Sequence, residues 1–534
     1  MGRPIPILFG TETGNAQECA ELLAKAINER GRQAQSVDMG SFQPGELADH
    51  PLLFIVTSTY GNGDPPSNAM KLLEFLQKEE LDLAGVRFAV CGLGSSFYEN
   101  FAQCGKDFQT EMLRHGANEV FDRVDCDEEY EEFFDEFKDA ALAYVNENPP
   151  KGEPSASEAR AEAPAAGQPG RIAHAKVLAK RLLSKPGSTK ETMHYELDLS
   201  EMDVEFEVGD CFGVHAPNGE EEVAAVLEAL KLDGTEPVDW RGQSCSLRAA
   251  LEGACFAQLR SDLIKTIAAL PSCASGPARR ASEGDKEAVQ DYVRGRRLID
   301  VLTEQDASGV EPQVLVDNLR KLQPRLFSVA SSPTKDPERV AFTIETVRYR
   351  HRGRELRGVA SGWLADDMQV GDRVAMHFVP NASFHFPRDA AKVIMVGPGT
   401  GIAPFRGYLE EVESAKMDTA TWLFFGHQHR ATDFLYREEI ASWLQRGVLD
   451  RADFAWSRDR EEKVYVQHKI LQRGRELWTW LTEGAHVFVC GDAESMAPAV
   501  AAAFAQVAHE HGDCDGEAYV RQLVETGRYR TDVY

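Results

Sequence analysis

Short apolar runs that end in glycine or a hydroxyl residue, and pass directly into amphipathic helical repeats, occur at both ends of this chain. That alternation allows little besides parallel sheets covered by helices. Near the start, "PILFG", "LLFIVTS" and "RFAVCGLG" alternate with stretches such as "AQECAELLAKAINERG", and from residue 388 the pattern returns in "AKVIMVGPG", "ATWLFFG" and "AHVFVCGD". The middle differs. "HYELDLS" and "VAFTIETVRYR" alternate polar and apolar residues, which predicts an antiparallel barrel; about residues 219–320 the period is helical, as in "EEEVAAVLEALKL", which predicts an inserted helical subdomain. Residues 148–170, "NPPKGEPSASEARAEAPAAGQPG", hold no bulky apolar side chain and read as a flexible linker. The expected organisation is an α/β domain over 1–147, the linker 148–170, a barrel with helical insert over 171–387, and a second α/β domain over 388–534.

Composition excludes several classes. A formal net charge of −28 argues against nucleic-acid binding, because phosphate backbones are held by clustered Lys and Arg. Residues 1–148 hold 11 Lys or Arg against 27 Asp or Glu, so most of the imbalance sits there, densest in "DCDEEYEEFFDEFKD". Such a run is either a solvated helix face or a surface that steers a basic partner. No run of ~20 apolar residues is present, so no membrane span is expected, and no signal peptide precedes the first strand. The 10 cysteines are scattered, with no CxxC pair; this suits reduced thiols of a cytoplasmic protein and no metal site.

The loops carry the chemistry. In "ILFGTETGNAQECAELL", Thr11, Thr13 and Asn15, with Gly10 and Gly14, lie between a strand end and a helix start, where free N–H groups and the helix dipole favour a phosphate. Alone this would be a helix cap. "TSTYGNGDPP" and "GLGSSFYENF" also follow apolar runs and present Tyr60 and Tyr98; three such loops converge where a parallel sheet binds its ligand. A phosphate site flanked by two flat rings suits a flat aromatic phosphate ester. In "RLFSVASSP", Arg325 and Phe327 share one face of an extended stretch, so a guanidinium can meet a pyrophosphate beside a packed ring. "RGVASGWLADD" supplies a second anion-binding start at Gly358–Ser361. The glycines of "IMVGPGTGIAPFRGYLEE" let backbone approach a pyrophosphate, although the string is not GxGxxG. Ser457, Arg458, Lys463 and Tyr465 gather two cations and two hydroxyls beyond a strand end, which suits a 2′-phosphate, where NAD would call for an acid.

With these motifs the chain resembles the diflavin reductases, over essentially its whole length apart from the linker: a flavodoxin-like doubly wound domain joined to a ferredoxin-reductase-like module, with an antiparallel FAD barrel and an α/β NADPH domain. It is similar in particular to the flavoprotein subunits of NADPH-sulfite reductase and, next, to microsomal-type NADPH-haemoprotein reductases. The resemblance implies that Thr11, Glu12, Thr13, Gly14, Asn15 and Ala16 hold the phosphate of FMN, and that Tyr60 and Tyr98 stack on its ring. Ser58, Thr59, Gly61, Gly94, Asn100 and Phe101 complete those loops, and Asp127 matches approximately an acid near the flavin edge. It assigns Arg325, Leu326, Phe327, Ser328, Gly358, Val359, Ala360 and Ser361 to FAD. Phe327 departs from the tyrosine common in relatives, which keeps the stacking and loses one hydrogen bond, ~1 kcal/mol of FAD affinity. NADPH is assigned Gly399, Thr400, Pro404 and Arg406 at the pyrophosphate and nicotinamide halves, Ser457, Arg458, Lys463, Tyr465 and Gln467 at the 2′-phosphate, and Asp492.

By the same resemblance Ser328, Cys490 and Asp532 surround the nicotinamide and flavin N5, and electrons pass from NADPH to FAD to FMN to a separate haem protein. A sirohaem sulfite reductase subunit is the expected acceptor. A nitrate reductase or a haem-thiolate monooxygenase is the alternative, as is a flavodoxin-like carrier with a degenerate nicotinamide domain. Asp532 and Tyr534 are two apart, so on an extended tail both face one side and the terminal ring forms a lid over the flavin. Relatives that assemble into large oligomers carry an extension before the first strand, so a monomer is expected.

Overall fold

The computed structural model describes residues 4–534 except 12–13, 60–62, 64, 95–99, 128–129, 149–171, 203, 274–275 and 285. The linker expected at 148–170 therefore lies, beyond Asn148, outside the described residues. Near the N-terminus the strands Ala34–Asp38, Ile5–Gly10, Leu52–Ser58, Arg87–Leu93 and Asn118–Glu119 lie side by side in that order, all parallel, with Val124–Cys126 also alongside Arg87–Leu93. Their central members are apolar throughout because helices cover both faces. Strand order reverses at Ile5–Gly10, and the loops singled out in the sequence leave the carboxyl ends of this strand and the two beyond it. The acidic run falls largely on the helix Glu131–Glu147. Phe134, Phe137, Ala141, Leu142 and Val145 form its buried stripe, with Phe137 edge-on to Phe54 and Phe121, while Asp135, Glu136 and Asp139 face solvent.

The middle of the chain forms a six-stranded sheet ordered Arg325–Ser328, Cys211–Val214, Arg373–Val379, Ala173–Leu182, Thr192–Asp198, Arg339–Glu345. The ladders joining the last four are antiparallel. Among the described residues, the two edges of the expected barrel meet at one bridge, Val329 to Phe342. A full ladder does not form because the Ser331 hydroxyl, rather than a backbone carbonyl, accepts the Ala341 N–H at 2.9 Å, and Pro333 then ends the donors. A second compact unit, Val214–Arg325 with Val347–Met368, carries the helices from Glu220–Leu230 to Pro312–Asp317. There the buried Asp300 accepts from the Arg297 N–H at 2.8 Å, from His351 Nε2 at 2.7 Å and from Arg354, which pins the ribbon Arg348–His351/Arg354–Arg357 to the helix Leu298–Glu304.

The C-terminal sheet is parallel, ordered Arg451–Trp456, Ala420–His427, Lys392–Val396, His486–Gly491, Tyr529–Val533, and reverses at Lys392–Val396, the strand that runs into the glycine turn. It shares a unit with the antiparallel sheet, and a buried polar chain joins the two. Arg406 donates to Glu439 at 2.8 Å and to the Ala330 carbonyl at 2.5 Å, and its guanidinium lies over the Tyr436 ring. The Tyr436 hydroxyl bonds Thr343 at 2.7 Å and His194 Nδ1 at 2.9 Å, and His194 reaches Glu196 at 3.1 Å. Among the described residues, no helix is long and apolar enough to cross a membrane and no cluster of His, Cys, Asp and Glu could hold a metal ion.

Burial pushes the pKa of His194 below the usual histidine range, against the pull of Glu196. The unfolded imidazole titrates near ~6.5 and takes up a proton that the folded one refuses, so stability falls as pH drops below ~6.5. Chemical denaturation of wild type and His194→Gln at pH 7.5 and 5.5 should show the wild-type advantage shrinking at the lower pH.

Candidate functional site

The strands His486–Gly491 and Tyr529–Val533 pair in a register that sets Cys490 beside Asp532. Both are buried. Ser328, at the end of its strand in the antiparallel sheet, donates from Oγ to Asp532 Oδ2 at 2.7 Å, and the Cys490 thiol donates to the same oxygen at 3.7 Å. Three residues far apart in the sequence thus meet at one carboxylate. Cys211, which the sequence pattern does not single out, donates to Ser328 Oγ at 3.8 Å; nothing in "VGDCFGV" marks it, since its role depends on a strand neighbour. Burial pushes Asp532 above the usual carboxylate range, while the hydrogen bonds from Ser328 and Cys490 pull it part of the way back. Burial and then the Asp532 charge push the Cys490 thiol well up.

The glycine turn abuts this cluster. A Cβ on Gly401 would sit 2.1 Å from the Cys490 carbonyl oxygen, so only glycine lets the turn lie against the strand end. Thr400 shares a 2.7 Å hydrogen bond with the Tyr534 hydroxyl. The Tyr534 N–H donates to Gly491, and the Ala493 N–H to the Tyr534 carbonyl. Tyr534 is thus held at its main chain and at its hydroxyl, although the residue as a whole is 62% exposed.

Beyond the strand Arg451–Trp456, Ser457 and Arg458 donate their N–H groups to the carbonyls of His427 and Gln428. Lys463, Tyr465 and Gln467 flank the start of the helix Val466–Gln472. Among the described residues neither Arg458 nor Lys463 has an ion-pair partner, whereas the neighbouring Arg451 and Arg473 are paired with Glu476 and Asp453. Two expectations change here. Arg406 does not face the turn: its guanidinium is buried between Glu410 and Glu439, so it does not seat a pyrophosphate. Asp492 accepts from Ser495 N–H and Oγ and from the Met496 N–H at 2.6–2.8 Å, which commits its carboxylate to the start of the helix Met496–Gly512. Pro404 is buried in the first turn of the helix Ala403–Ala415, and Gly399 opens the 3-10 turn before it.

At the N-terminal sheet, Gly14 takes a φ of 99° ahead of the helix Asn15–Glu29, and its N–H donates to Thr11 Oγ1 at 2.9 Å. Ala16 is buried in the first turn. Asn68, for which the sequence carries no signal, braces the loop: its Oδ1 accepts the Thr11 N–H at 2.8 Å and its amide donates to the Phe9 carbonyl and Asp38. Ser58 Oγ donates to the Gly10 carbonyl at 3.3 Å, joining neighbouring strand ends. The Thr59 N–H donates to Leu93, and Thr59 Oγ1 accepts the Cys104 N–H near the start of the helix Gln103–Arg114. The Gly94 N–H donates to Cys126, one residue before Asp127, and Asn100 and Phe101 lead into the same helix. The ends of these loops therefore gather at one crevice. Glu12, Thr13, Tyr60, Gly61 and Tyr98 lie outside the described residues.

Phe327 and Leu326 are partly buried on the strand Arg325–Ser328, with Arg325 exposed at its start. Phe327 packs near Phe342. In the helical unit, the Gly358 N–H donates to the Val347 carbonyl at 2.8 Å, and Ser361 Oγ accepts the Val347 N–H at 3.1 Å. Val359 and Ala360 begin the short helix Val359–Gly362, whose first N–H groups have no acceptor within the helix.

Family models match three segments: flavodoxin over residues 7–139, an FAD binding domain over 168–243 and 280–363, and an oxidoreductase NAD-binding domain over 395–502. The chain is 38% identical to the sulfite reductase [NADPH] flavoprotein alpha-component of Bacillus subtilis, covering 100% of this chain and 90% of that protein. It is 35% identical to those of Mannheimia succiniciproducens and Vibrio parahaemolyticus, covering 99% of this chain and 90% and 86% of theirs. The chain belongs to the family of NADPH-sulfite reductase flavoproteins. It is a diflavin reductase whose cofactors are FMN, FAD and NADPH. The residues present fit them: Thr11 is braced at the strand-order reversal of the first sheet, a glycine turn lies at that of the last, and Arg458 and Lys463 have no ion-pair partner among the described residues.

The Asp532 titration is directly observable. Ser328→Ala removes a hydrogen bond that stabilises the carboxylate, so the protonated C=O stretch of labelled Asp532 should persist to higher pH than in wild type by infrared titration.

Proposed function

We propose that this flavoprotein takes electrons from NADPH at the Ser328–Cys490–Asp532 cluster and delivers them singly to a haem-containing sulfite reductase subunit in the cytoplasm. The convergence of Ser328 and Cys490 on the buried Asp532 carboxylate, beside the glycine turn, carries the reading. When bound, the cofactors supply conversion of a two-electron hydride donor into single-electron delivery. The chain's residues do the rest. Asp532 places a buried negative charge where the nicotinamide ring becomes positive as its hydride leaves, and low surrounding polarity strengthens that effect. Ser328 and Cys490 hold the carboxylate in one rotamer. Cys490 stays a neutral thiol, so it packs against the nicotinamide without attacking it. Tyr534 covers the site and keeps water out, held to the pyrophosphate turn by Thr400.

The remaining assignments follow the strand ends. Thr11 to Ala16 with Asn68 hold the FMN phosphate, Ser58, Thr59, Gly94, Asn100, Phe101 and Asp127 frame its ring, and Arg325 to Ser328 with Gly358 to Ser361 hold FAD. Ser457, Arg458, Lys463, Tyr465 and Gln467 select the 2′-phosphate. The curated relatives are named alpha-components of a sulfite reductase, which supports a second, haem-bearing component as the acceptor here. Full-length similarity through the nicotinamide part disfavours a carrier with a degenerate domain.

Two measurements test this. Replacing Arg458 and Lys463 by Ala removes two charge-assisted contacts worth ~1.5–3 kcal/mol each, so the KM for NADPH should rise at least ~100-fold while that for NADH stays unchanged; equal effects on both would refute the 2′-phosphate assignment. Deleting Tyr534 should lower the NADPH-to-NADH preference in kcat/KM, because the nicotinamide no longer competes with a ring, and an unchanged preference would count against the lid.

A further inference from the structure

The helix Ala403–Ala415 touches both halves of the candidate hydride-transfer site. At its start, Gly401 lies against the Cys490 carbonyl, and Thr400 holds Tyr534. One and a half turns later the Arg406 guanidinium reaches across to the other sheet, where Nη1 donates to the carbonyl of Ala330, two residues beyond Ser328, at 2.5 Å. Gly407 lies against the Ser331 backbone, where a Cβ would sit 3.0 Å from its carbonyl oxygen, and Ala403 packs on Ala330 and Ala341. The Ser332 N–H donates to Glu410 one turn further on. The guanidinium is only 7% exposed, with Nε on Glu439 at 2.8 Å, Nη2 on Glu410 at 3.0 Å and its face on Tyr436 at 5.0 Å. Lys335 also pairs with Glu410, and Arg181 with Glu439, so neither glutamate depends on Arg406 for its only cation. What Arg406 adds to these backbone and packing contacts is a side-chain hydrogen bond to the strand exit after Ser328, at the Ala330 carbonyl.

We infer that Arg406 is a positioning residue for hydride transfer: it grips the Ser328–Ala330 strand exit and so sets the approach of Ser328 to Asp532 and Cys490, without touching the nucleotide. This rests on the reading that those three residues form the hydride-transfer site. The planar fork matters, because a carbonyl and two carboxylates lie in three directions that a lysine cannot meet at once. Reacting groups held in place by such contacts are sensitive to small displacement, and ~1 Å costs about 100-fold in rate.

The test uses full-length holoprotein carrying Arg406→Met or Arg406→Lys, with Ser328→Ala as the control. Three readings are taken: anaerobic flavin bleaching by NADPH and by NADPH deuterated at the transferred hydrogen, binding of adenosine 2′,5′-bisphosphate by calorimetry, and amide hydrogen exchange over residues 328–332. In Arg406→Met, bleaching should slow about 100-fold with a full deuterium effect, bisphosphate affinity should stay within about twofold, and exchange over 329–332 should quicken. Arg406→Lys should fall between, and it decides by the same readings if the Met variant does not accumulate. Bleaching at the wild-type rate overturns the inference. So does a parallel loss of bisphosphate affinity with unchanged exchange, which would make Arg406 a nucleotide ligand. If Ser328→Ala bleaches like wild type, the placement of the hydride site fails instead, while the exchange and affinity readings still judge whether Arg406 positions the strand.

Discussion

The carboxylate of Asp532 organises the chemistry of this molecule, but one buried guanidinium organises Asp532's surroundings. Arg406 reaches from a helix of the C-terminal part to a backbone carbonyl of the antiparallel sheet, and is held at its base by two glutamates and an aromatic face of its own part. Removing so buried a cation from such a set is costly because its partners have no water to turn to. The Tyr436–His194–Thr343 hydrogen bonds continue the chain into the same sheet. The separation of Ser328 from Asp532 follows from these contacts rather than from either sheet alone.

Around that carboxylate, burial does what exposed charges could not. Asp532 and Cys490 share a water-poor site, so the acid is raised and the thiol kept neutral, while Ser328 restores part of the acid's charge-bearing capacity by donating to it. A negative charge there is worth more to a developing cation than it would be in solvent. Tyr534 contributes differently: anchored through two main-chain bonds and one hydroxyl, it is the most exposed residue of the site.

Much of this is legible in the chain itself. Apolar runs ending at glycines mark both parallel sheets, and the loops that follow them point to the ligand crevices. The helical insert is visible in its period. Inference from sequence fails where a residue's neighbours along the chain are not its neighbours in space. Arg406 follows a glycine turn and so resembles a pyrophosphate ligand, yet the helix turns it inward. Asp492 has the sequence context of a free carboxylate and is held by the helix start that follows it. Among the described residues, the barrel expected from alternating strands meets itself at a single bridge because a serine hydroxyl replaces a ladder carbonyl. Asn68 and Cys211 act only through strand ends remote in the sequence, so no local signal marks them.

The sequence by itself determined the order of the modules, the glycine turns and the pair of cations beyond the strand end, because each depends on residues within a few positions of one another. Only the tertiary structure decided which arginine stays in solvent and which meets the core. Arg458 ends a strand in open solvent, whereas Arg406 finds its carbonyl partner 76 residues away. Burial is a property of what packs from afar, and it alone separates an exposed cation from one held in the core.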